Sequence, residues 1–545
     1  MRFNLSSHHI TRRRMTVRIC DADGMYKSIR QCQDIVTKIF GCHVKFILLK
    51  NTTGDYTRMV VSSHDLFNFL QPKCDVLKLM ICFLKNHVAV TMDGGLFTFL
   101  MSSNLVLNSH SLPYFELSND KKYLLSEIRQ FLNTINIFID ISKFSDVQSI
   151  IKTILMPKIM LSCMDLDHIC ILYTTSFAST MKKEDIKVVR VISKIKDSCI
   201  YDGFLLPVES YFDDALLSTK LTLRVCLVNV SLSIDSEELL GEKKESIIVA
   251  SRMKTKEEIL NFLCKFCYNF SKQADVLICQ KVVHPKVKYL LKQNNVICVD
   301  RIGSIALSSL QSLFNCKVMS TLMLTDFAQY ISVMNDFKFL NLNNRHFIQI
   351  TSTSSTSKTL LLCAENDEEL DTLAQCFEVS MALLQGLAVQ PQVVYGGGCI
   401  ETMIAMHLLY LRTKKLKISC TNNLWKVVDV VVKSFLSVAL AIDNEHEILE
   451  NFIDDSFHHH WINPKFRTRC CCGSINSNID INFIPFIELI SSGNINEKII
   501  EAKTINLVSY ADIVIHPSEV FLRNLEASVT LSDIVSHISF QILQI

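Results

Sequence analysis

Apolar residues recur along this chain with two periods, and the period changes twice. From residue 25 to 110 the spacing is helical, with a short β-like interruption near Val44 to Leu49. A long helix is expected to begin after the turn Asp93-Gly94-Gly95 and to run towards Val106, because glycine frees the backbone at a turn and the apolar pattern resumes directly behind it. A second is expected over Lys121 to Ile139, where Leu124, Leu125, Ile128, Leu132, Ile135 and Ile139 recur at intervals near three and four.

From about Val188 short β-branched runs take over: Val188 to Ile192, Phe204 to Pro207, Leu221 to Leu232, Ser246 to Ala250, Ala274 to Ile278 and Val296 to Val299. Glu257 to Asn269 and Pro285 to Lys292 read as helices between some of them, and strands alternating with helices predict an α/β insert. After Leu370 the helical pattern returns, through Leu373 to Leu387, Glu401 to Leu411 and Trp425 to Ala441. The order helical, α/β, helical is what one domain inserted into another produces, and it predicts that the two helical ends pack together. Thr351 to Thr356 reads as a Ser/Thr loop or linker, and residues 456 to 479 as an irregular exposed insertion.

Composition narrows the class. Hydrophobic residues are 49% and charged residues 20%, which suits buried cores, and 545 residues exceed what one core organises, so several domains are expected. A formal charge of +2 supplies no general field for gathering nucleic acid or anionic membranes. Arg12-Arg13-Arg14 reads as part of a solvated end. The longest apolar stretches, Val88 to Leu107 and Val427 to Ile442, are interrupted by Asp93 and by Asp429 and Lys433, so neither reads as a membrane span. No secretory signal is evident, and the cytosol is the expected compartment. Many of the 21 cysteines lie in apolar segments, among them Cys82, Cys163, Cys226, Cys264 and Cys298, and are expected to be reduced thiols that pack as small hydrophobes.

Glycine is scarce, 14 in the whole chain, against about 7% in an average protein. Three are nevertheless consecutive in VVYGGGCIE, Val393 to Glu401. A glycine run before a helix either presents backbone N–H groups to a nucleotide or lets two backbones pack closely. The run is neither GxGxxG nor GxxxxGK[ST], so both readings stand. His458-His459-His460 and Cys470-Cys471-Cys472 invite a zinc site, but consecutive ligands do not converge on one tetrahedral ion, and none is expected. No GxSxG or Cys-containing signature marks a hydrolase.

VVYGGGCIE closely resembles the VV-GGGA-E segment in the nucleotide-binding part of the group II chaperonins, the thermosome and the eukaryotic TCP-1 ring complex. Ala274 to Gly303, ADVLICQKVVHPKVKYLLKQNNVICVDRIG, resembles their apical strand, helix and strand, and His87 to Val106 takes the place of their GDGTT loop and following helix. Within that family the LICQKV-HP and DRIG wording, GGGC-ET, and C-CG--NS near Cys470 to Ser477 resemble the chaperonin-like branch linked to McKusick-Kaufman and Bardet-Biedl syndromes. The resemblance implies a multidomain α and α/β fold of group II chaperonin type. It places a helical equatorial domain at 1–135 and 391–545, an intermediate domain at 136–195 and 351–390, and an inserted α/β apical domain at 196–350.

It also implies a nucleotide pocket, here degenerate, formed by Gly41, Asp93, Gly94, Gly95, Gly396, Gly397 and Gly398, with Asp93 as the metal ligand if magnesium-nucleotide binds. Gly-Asp-Gly-Thr-Thr is replaced by Met92-Asp93-Gly94-Gly95-Leu96, which keeps the Asp and loses both threonines. The upstream Gly-Pro-x-Gly becomes Gly41-Cys42-His43-Val44, and Asn-Asp-Gly-Ala-Thr becomes Thr53-Gly54-Asp55-Tyr56-Thr57. Val379, beside Glu378, stands where the family has the Asp that orients the attacking water. Phosphoryl transfer depends on positioning and charge neutralisation, so these losses together imply no catalytic residues, no ATP hydrolysis and no required cofactor, with residual ATP or ADP and Mg²⁺ left open.

The function implied is chaperone-like assistance in assembling the ciliary Bardet-Biedl coat complex. Sister chaperonin-like proteins and the TCP-1 ring complex would be partners, in the cytoplasm and at the centrosome or basal body, with no nucleic acid and no membrane insertion. Two alternatives remain: an active ring-forming ATPase, and a scaffold that binds partners through its apical surface. The terminal SHISFQILQI departs from the family's strand-forming end, which leaves ring closure without a sequence basis.

Overall fold

The structure, a computed structural model, describes residues 22–41, 47–50, 57–60, 62–109, 114–158, 162–180, 186–208, 222–233, 256–322, 327–334, 337–342, 345–351, 357–415, 422–442 and 514–543. The chain forms two compact units, one of Met1–Leu166 with Cys376–Ile545 and one of Asp167–Gln375. The expected strand Ser246 to Ala250, most of the Thr351 to Thr356 loop, Arg12-Arg13-Arg14 and the 456–479 stretch with its His and Cys triplets lie outside the described residues.

The first unit is helical and is built round the helix Gly95–Ser109. Almost every side of this helix is buried, as its lack of a polar face requires. The helices Ala22–Lys38, Asp75–Thr91, Asn422–Ile442 and Ser518–Leu543 pack against it. Thr98, Ser102, Ser103 and Asn104 are buried along with its apolar residues. The three hydroxyls donate to the carbonyls of Gly94, Phe99 and Leu100 at 2.9, 3.0 and 3.0 Å, and Asn104 Oδ1 accepts from Gln33 Nε2 at 2.8 Å. Short side chains bonded to their own helix let neighbours approach closely without stranding a polar group.

The expected helix over Lys121 to Ile139 is instead Tyr114–Ile135 followed by the short strand Ile137–Phe138. Pairing across the unit overrides the helical spacing. Ile137–Phe138 joins Gln392–Tyr395, which also pairs with Ile515–Pro517, in an all-antiparallel three-stranded sheet. Asn136 fixes the break: its Nδ2 donates to Gln392 Oε1 at 3.1 Å, and its Oδ1 accepts from Ser518 Oγ at 2.7 Å. The β-like interruption is an antiparallel hairpin, Ile47–Lys50 with Thr57–Val60. The terminal apolar segment continues the helix Ser518–Leu543.

The second unit is α/β. Leu223–Val228, Val276–Cys279 and Ile297–Val299 run parallel, with Ile331–Met334 antiparallel at the edge. Helices Lys256–Gln273 and Pro285–Gln293 cover one face and Gly303–Phe314 the other. Burial pushes the Cys226, Cys267 and Cys279 thiols up to about 12, so they are uncharged packing groups. Four strands after Val299 have no counterpart in the β-branched runs: Ile331–Met334, Phe337–Leu342, Arg345–Ile350 and Lys358–Ala364. FKFLNL and RHFIQI are mixed in polarity and become strands by pairing with each other, the second also with Phe204–Val208. One described helix, Asp367–Val389, has the length and apolar character of a membrane span, and 56% of that apolar stretch is buried inside the protein.

A buried ion pair ties the terminal helix to the helix Tyr114–Ile135. Lys121 is fully buried, with its Nζ 2.9 Å from Ser532 Oγ and 3.2 Å from Asp533 Oδ1. Burial pulls its pKa down and Asp533 only partly restores it. Removing the partner strands a buried ammonium, which costs about 3–5 kcal/mol, whereas removing both charge and partner requirement costs less. Denaturant melts are therefore expected to rank Asp533→Ala as several kcal/mol less stable than the parent, with Lys121→Met clearly milder.

Candidate functional site

The helix Asp75–Thr91 ends because Met92 adopts a left-handed conformation, φ 64°, with its N–H still donating to Val88 at 2.8 Å. Thr91 Oγ1 bonds to both the His87 and Asp93 carbonyls at 3.0 Å, and Gly94 takes φ 86°. Thr98 N–H then donates to Gly94 at 2.9 Å and the buried helix begins. Between the two helices only Asp93 projects a charged side chain.

Each glycine around this turn faces protein. A Cβ on Gly94 would sit 1.8 Å from Asn524 Nδ2, whose amide is held by His87 Nε2 donating to Asn524 Oδ1 at 2.7 Å. On Gly95 it would meet Val88 and Ser63 at 2.5 and 2.8 Å, and on Gly41, φ 99°, the Ile442 carbonyl at 2.8 Å. On Gly396 it would meet His516 Nε2 at 2.6 Å and Val514 at 2.7 Å. Gly397 and Gly398 have φ of 65° and 85° and complete the turn into the helix Cys399–Lys415. Within the glycine run, Gly396 packs against the His516 and Val514 side chains, while Gly397 lines the cavity described next.

Five of the seven expected residues, Gly41, Asp93, Gly94, Gly95 and Gly397, line one cavity of about 210 Å³. Gly396 and Gly398 are not among its lining residues. The wall also carries Lys158, Glu401, His516 and Asn524, which sequence reasoning did not select, and is otherwise mainly apolar, including Phe97, Ile154, Leu383 and Phe521. Val379 is buried and Glu378 exposed on the helix Asp367–Val389, which presents Leu383 to the cavity. Cys42 to Val44 and Thr53 to Tyr56 lie outside the described residues.

Lys158 defines the electrostatics. It sits in the turn after the helix Phe144–Leu155, and its Nζ is 3.7 Å from Asp93 Oδ1. Burial alone would raise the Asp93 carboxyl, but the Lys158 ammonium, the Gly94 amide and His516 outweigh it and hold the group below the ordinary carboxylate value. Burial opposes the Lys158 charge as well, yet Asp93 keeps its pKa above the usual lysine value. Burial pushes His516 down despite Asp93, so the ring is neutral at pH 7. No sequence motif announces Lys158, because its partner lies in a separate segment. Glu401 was visible as a residue, but the burial of its Oε2 without a hydrogen-bond partner was not.

A model of the TCP-1/cpn60 chaperonin family matches residues 70–426. The chain belongs to the TCP-1/cpn60 chaperonin family. Molecular chaperone MKKS of Mus musculus is 26% identical over 489 residues, covering 82% of this chain and 84% of that protein, and the Homo sapiens protein of that name matches to the same extent. T-complex protein 1 subunit beta of Encephalitozoon cuniculi is 22% identical over 274 residues, 48% of this chain and 51% of its own. This chaperonin-family chain thus has a multidomain group II type of fold, and its relatives support a chaperone-family function.

Two outcomes follow from the turn. Gly94→Ala is expected to destabilise the protein by about 1–3 kcal/mol, since φ is left-handed and the methyl displaces Asn524. Adding Asn524→Ala should recover part of that loss in a double-mutant cycle by thermal melting. For the ion pair, Asp93 titrates below its unfolded value, so its stabilisation is complete above that value and fades as pH falls through the folded one. Lys158 titrates above its unfolded value, so its share persists until pH rises through the folded one. Asp93→Asn is expected to lower the melting temperature at pH 7, and the gap from the parent should shrink in acid below the normal carboxylate range.

Proposed function

We propose that this chain is a chaperone-like member of the family that works through protein contacts without ATP hydrolysis. It helps to assemble the ciliary Bardet-Biedl coat complex with sister chaperonin-like proteins and the TCP-1 ring complex, in the cytoplasm and at the centrosome or basal body. The observation that carries the loss of hydrolysis is the Lys158 ammonium on the Asp93 carboxylate. Magnesium is held by one or two carboxylates together with substrate phosphates. Here the Asp93 carboxylate is paired with Lys158, and the positions a Cβ would take on Gly41, Gly94 and Gly396 are filled by Ile442, Asn524 and His516. These residues do not fit a magnesium-nucleotide.

The similarity to proteins named molecular chaperone MKKS supports the chaperone role. So does the second unit's surface, where Tyr268 and Tyr289, 59% and 60% exposed, stand on the packed helices Lys256–Gln273 and Pro285–Gln293. Exposed aromatics of this kind supply contact area for a partner chain.

Single-turnover measurements with radiolabelled ATP should give no hydrolysis above the buffer control. Turnover that Asp93→Ala abolishes would falsify the reading. Native mass measurements of the chain with ciliary coat subunits are expected to show a complex, and a chain that stays apart from coat and TCP-1 ring subunits alike would remove the assembly role.

A further inference from the structure

The two helices that cover one face of the second unit's parallel sheet present the same pattern to solvent. Lys265, Tyr268 and Lys272 follow one another at spacings of three and four along Lys256–Gln273, and Lys286, Tyr289 and Lys292 at spacings of three along Pro285–Gln293. All six are exposed. Such spacings set each trio on one side of its helix. Both helices are crossovers between successive parallel strands and pack on each other, so they run side by side in one direction and the two rows adjoin. In each row the tyrosine is steadied by a residue one turn further on. Lys272 Nζ lies 4.0 Å from the Tyr268 ring centroid, and Gln293 Nε2 donates to the Tyr289 hydroxyl at 2.8 Å.

The four lysines are not answered within the unit. Lys265, Lys272, Lys286 and Lys292 make no ion pair among the described residues. The acids of the two helices, Glu257 and Glu258, stand in the first turn of Lys256–Gln273, about two turns before Lys265. The acids that flank the strands beneath are taken: Asp275 holds Arg224 at 3.0 Å and Asp300 holds Lys288 at 2.9 Å. The helix on the other face, Gly303–Phe314, contains no charged residue, so the pattern has no counterpart across the sheet. Lys265 and Lys272 are about 10 Å apart along the helix axis, close to one Debye length at physiological salt, so neighbouring ammonium groups act on a ligand together.

We infer that this face docks an acidic segment of a partner protein, whose carboxylates meet the four lysines while an apolar side chain rests on Tyr268 and Tyr289. The inference deepens the protein-contact reading above and rests on it, and it makes charge the property by which a partner is chosen. Other polyanions match the face less well. Nucleic acid binding gains from a long basic track that displaces many counterions, and a chain of net charge +2 offers no supporting field. A membrane-surface helix turns its apolar side into the lipid, whereas both helices here bury theirs against the sheet.

Fluorescence anisotropy of the full chain tests this with a labelled glutamate peptide, (Glu-Ala-Leu)5, and its glutamine counterpart, (Gln-Ala-Leu)5. At low salt the glutamate peptide is expected to bind at least about tenfold more tightly, from four exposed charge contacts of a few tenths of a kcal/mol each. Raising the salt should remove most of that advantage. Each double variant, Lys265→Gln with Lys272→Gln and Lys286→Gln with Lys292→Gln, is expected to lose several-fold affinity, while Lys317→Gln, exposed elsewhere on the unit, keeps it. Equal binding of the two peptides, no binding of the glutamate peptide, or undiminished affinity in both double variants would overturn the inference. So would tighter binding of oligodeoxythymidine or of phosphatidylserine vesicles than of the glutamate peptide. The peptide comparison needs no variant, so a misfolded mutant does not block it. A chain that ignores the glutamate peptide yet joins coat or ring subunits in native mass measurements loses this surface and keeps the assembly role. A chain that binds the peptide through these lysines yet joins neither keeps the surface and loses that role.

Discussion

The first unit depends on burying one helix, Gly95–Ser109, on almost all of its surface. A helix enclosed in this way has to be entered through a turn that carries almost no side-chain volume, because neighbouring backbones and side chains already occupy the space. Asn524 lies on Gly94, and Val88 and Ser63 on Gly95. The same close approach recurs where Ile442 crosses Gly41 and where His516 and Val514 cross Gly396. Glycine is rare in this chain and collects where segments from its two ends touch.

That constraint also fixes the chemistry. With glycines taking the tight positions, Asp93 is left as the charged side chain of the turn and faces the cavity. An isolated carboxylate there would be costly, and Lys158 offsets it from the turn after Phe144–Leu155. The result is a site whose strongest charges are answered internally, set among apolar walls. Family membership describes the scaffold, while these side-chain pairings describe what the scaffold is equipped to do.

Much of the fold was legible as period. The helix after Asp93-Gly94-Gly95, the alternation of strands and helices between Leu223 and Val299, and the helices that begin at Asp367, Cys399 and Asn422 follow apolar spacing, which is a local property. Resemblance at a few motifs then named the family that the match over residues 70–426 establishes. Spacing failed where pairing decided, at Ile137–Phe138 and in Phe337–Leu342 and Arg345–Ile350, because a strand of mixed polarity exists only beside its partner.

The sequence by itself determined the type and order of the strongly periodic elements and the concentration of glycine at two turns, since periodicity and backbone freedom are written in neighbouring residues. Tertiary structure decided what those turns mean. That Asn524 fills the space above Gly94 and that Lys158 reaches Asp93 are facts about residues tens to hundreds of positions apart. Steric exclusion and Coulomb attraction act through distance in space, and no spacing along the chain encodes them.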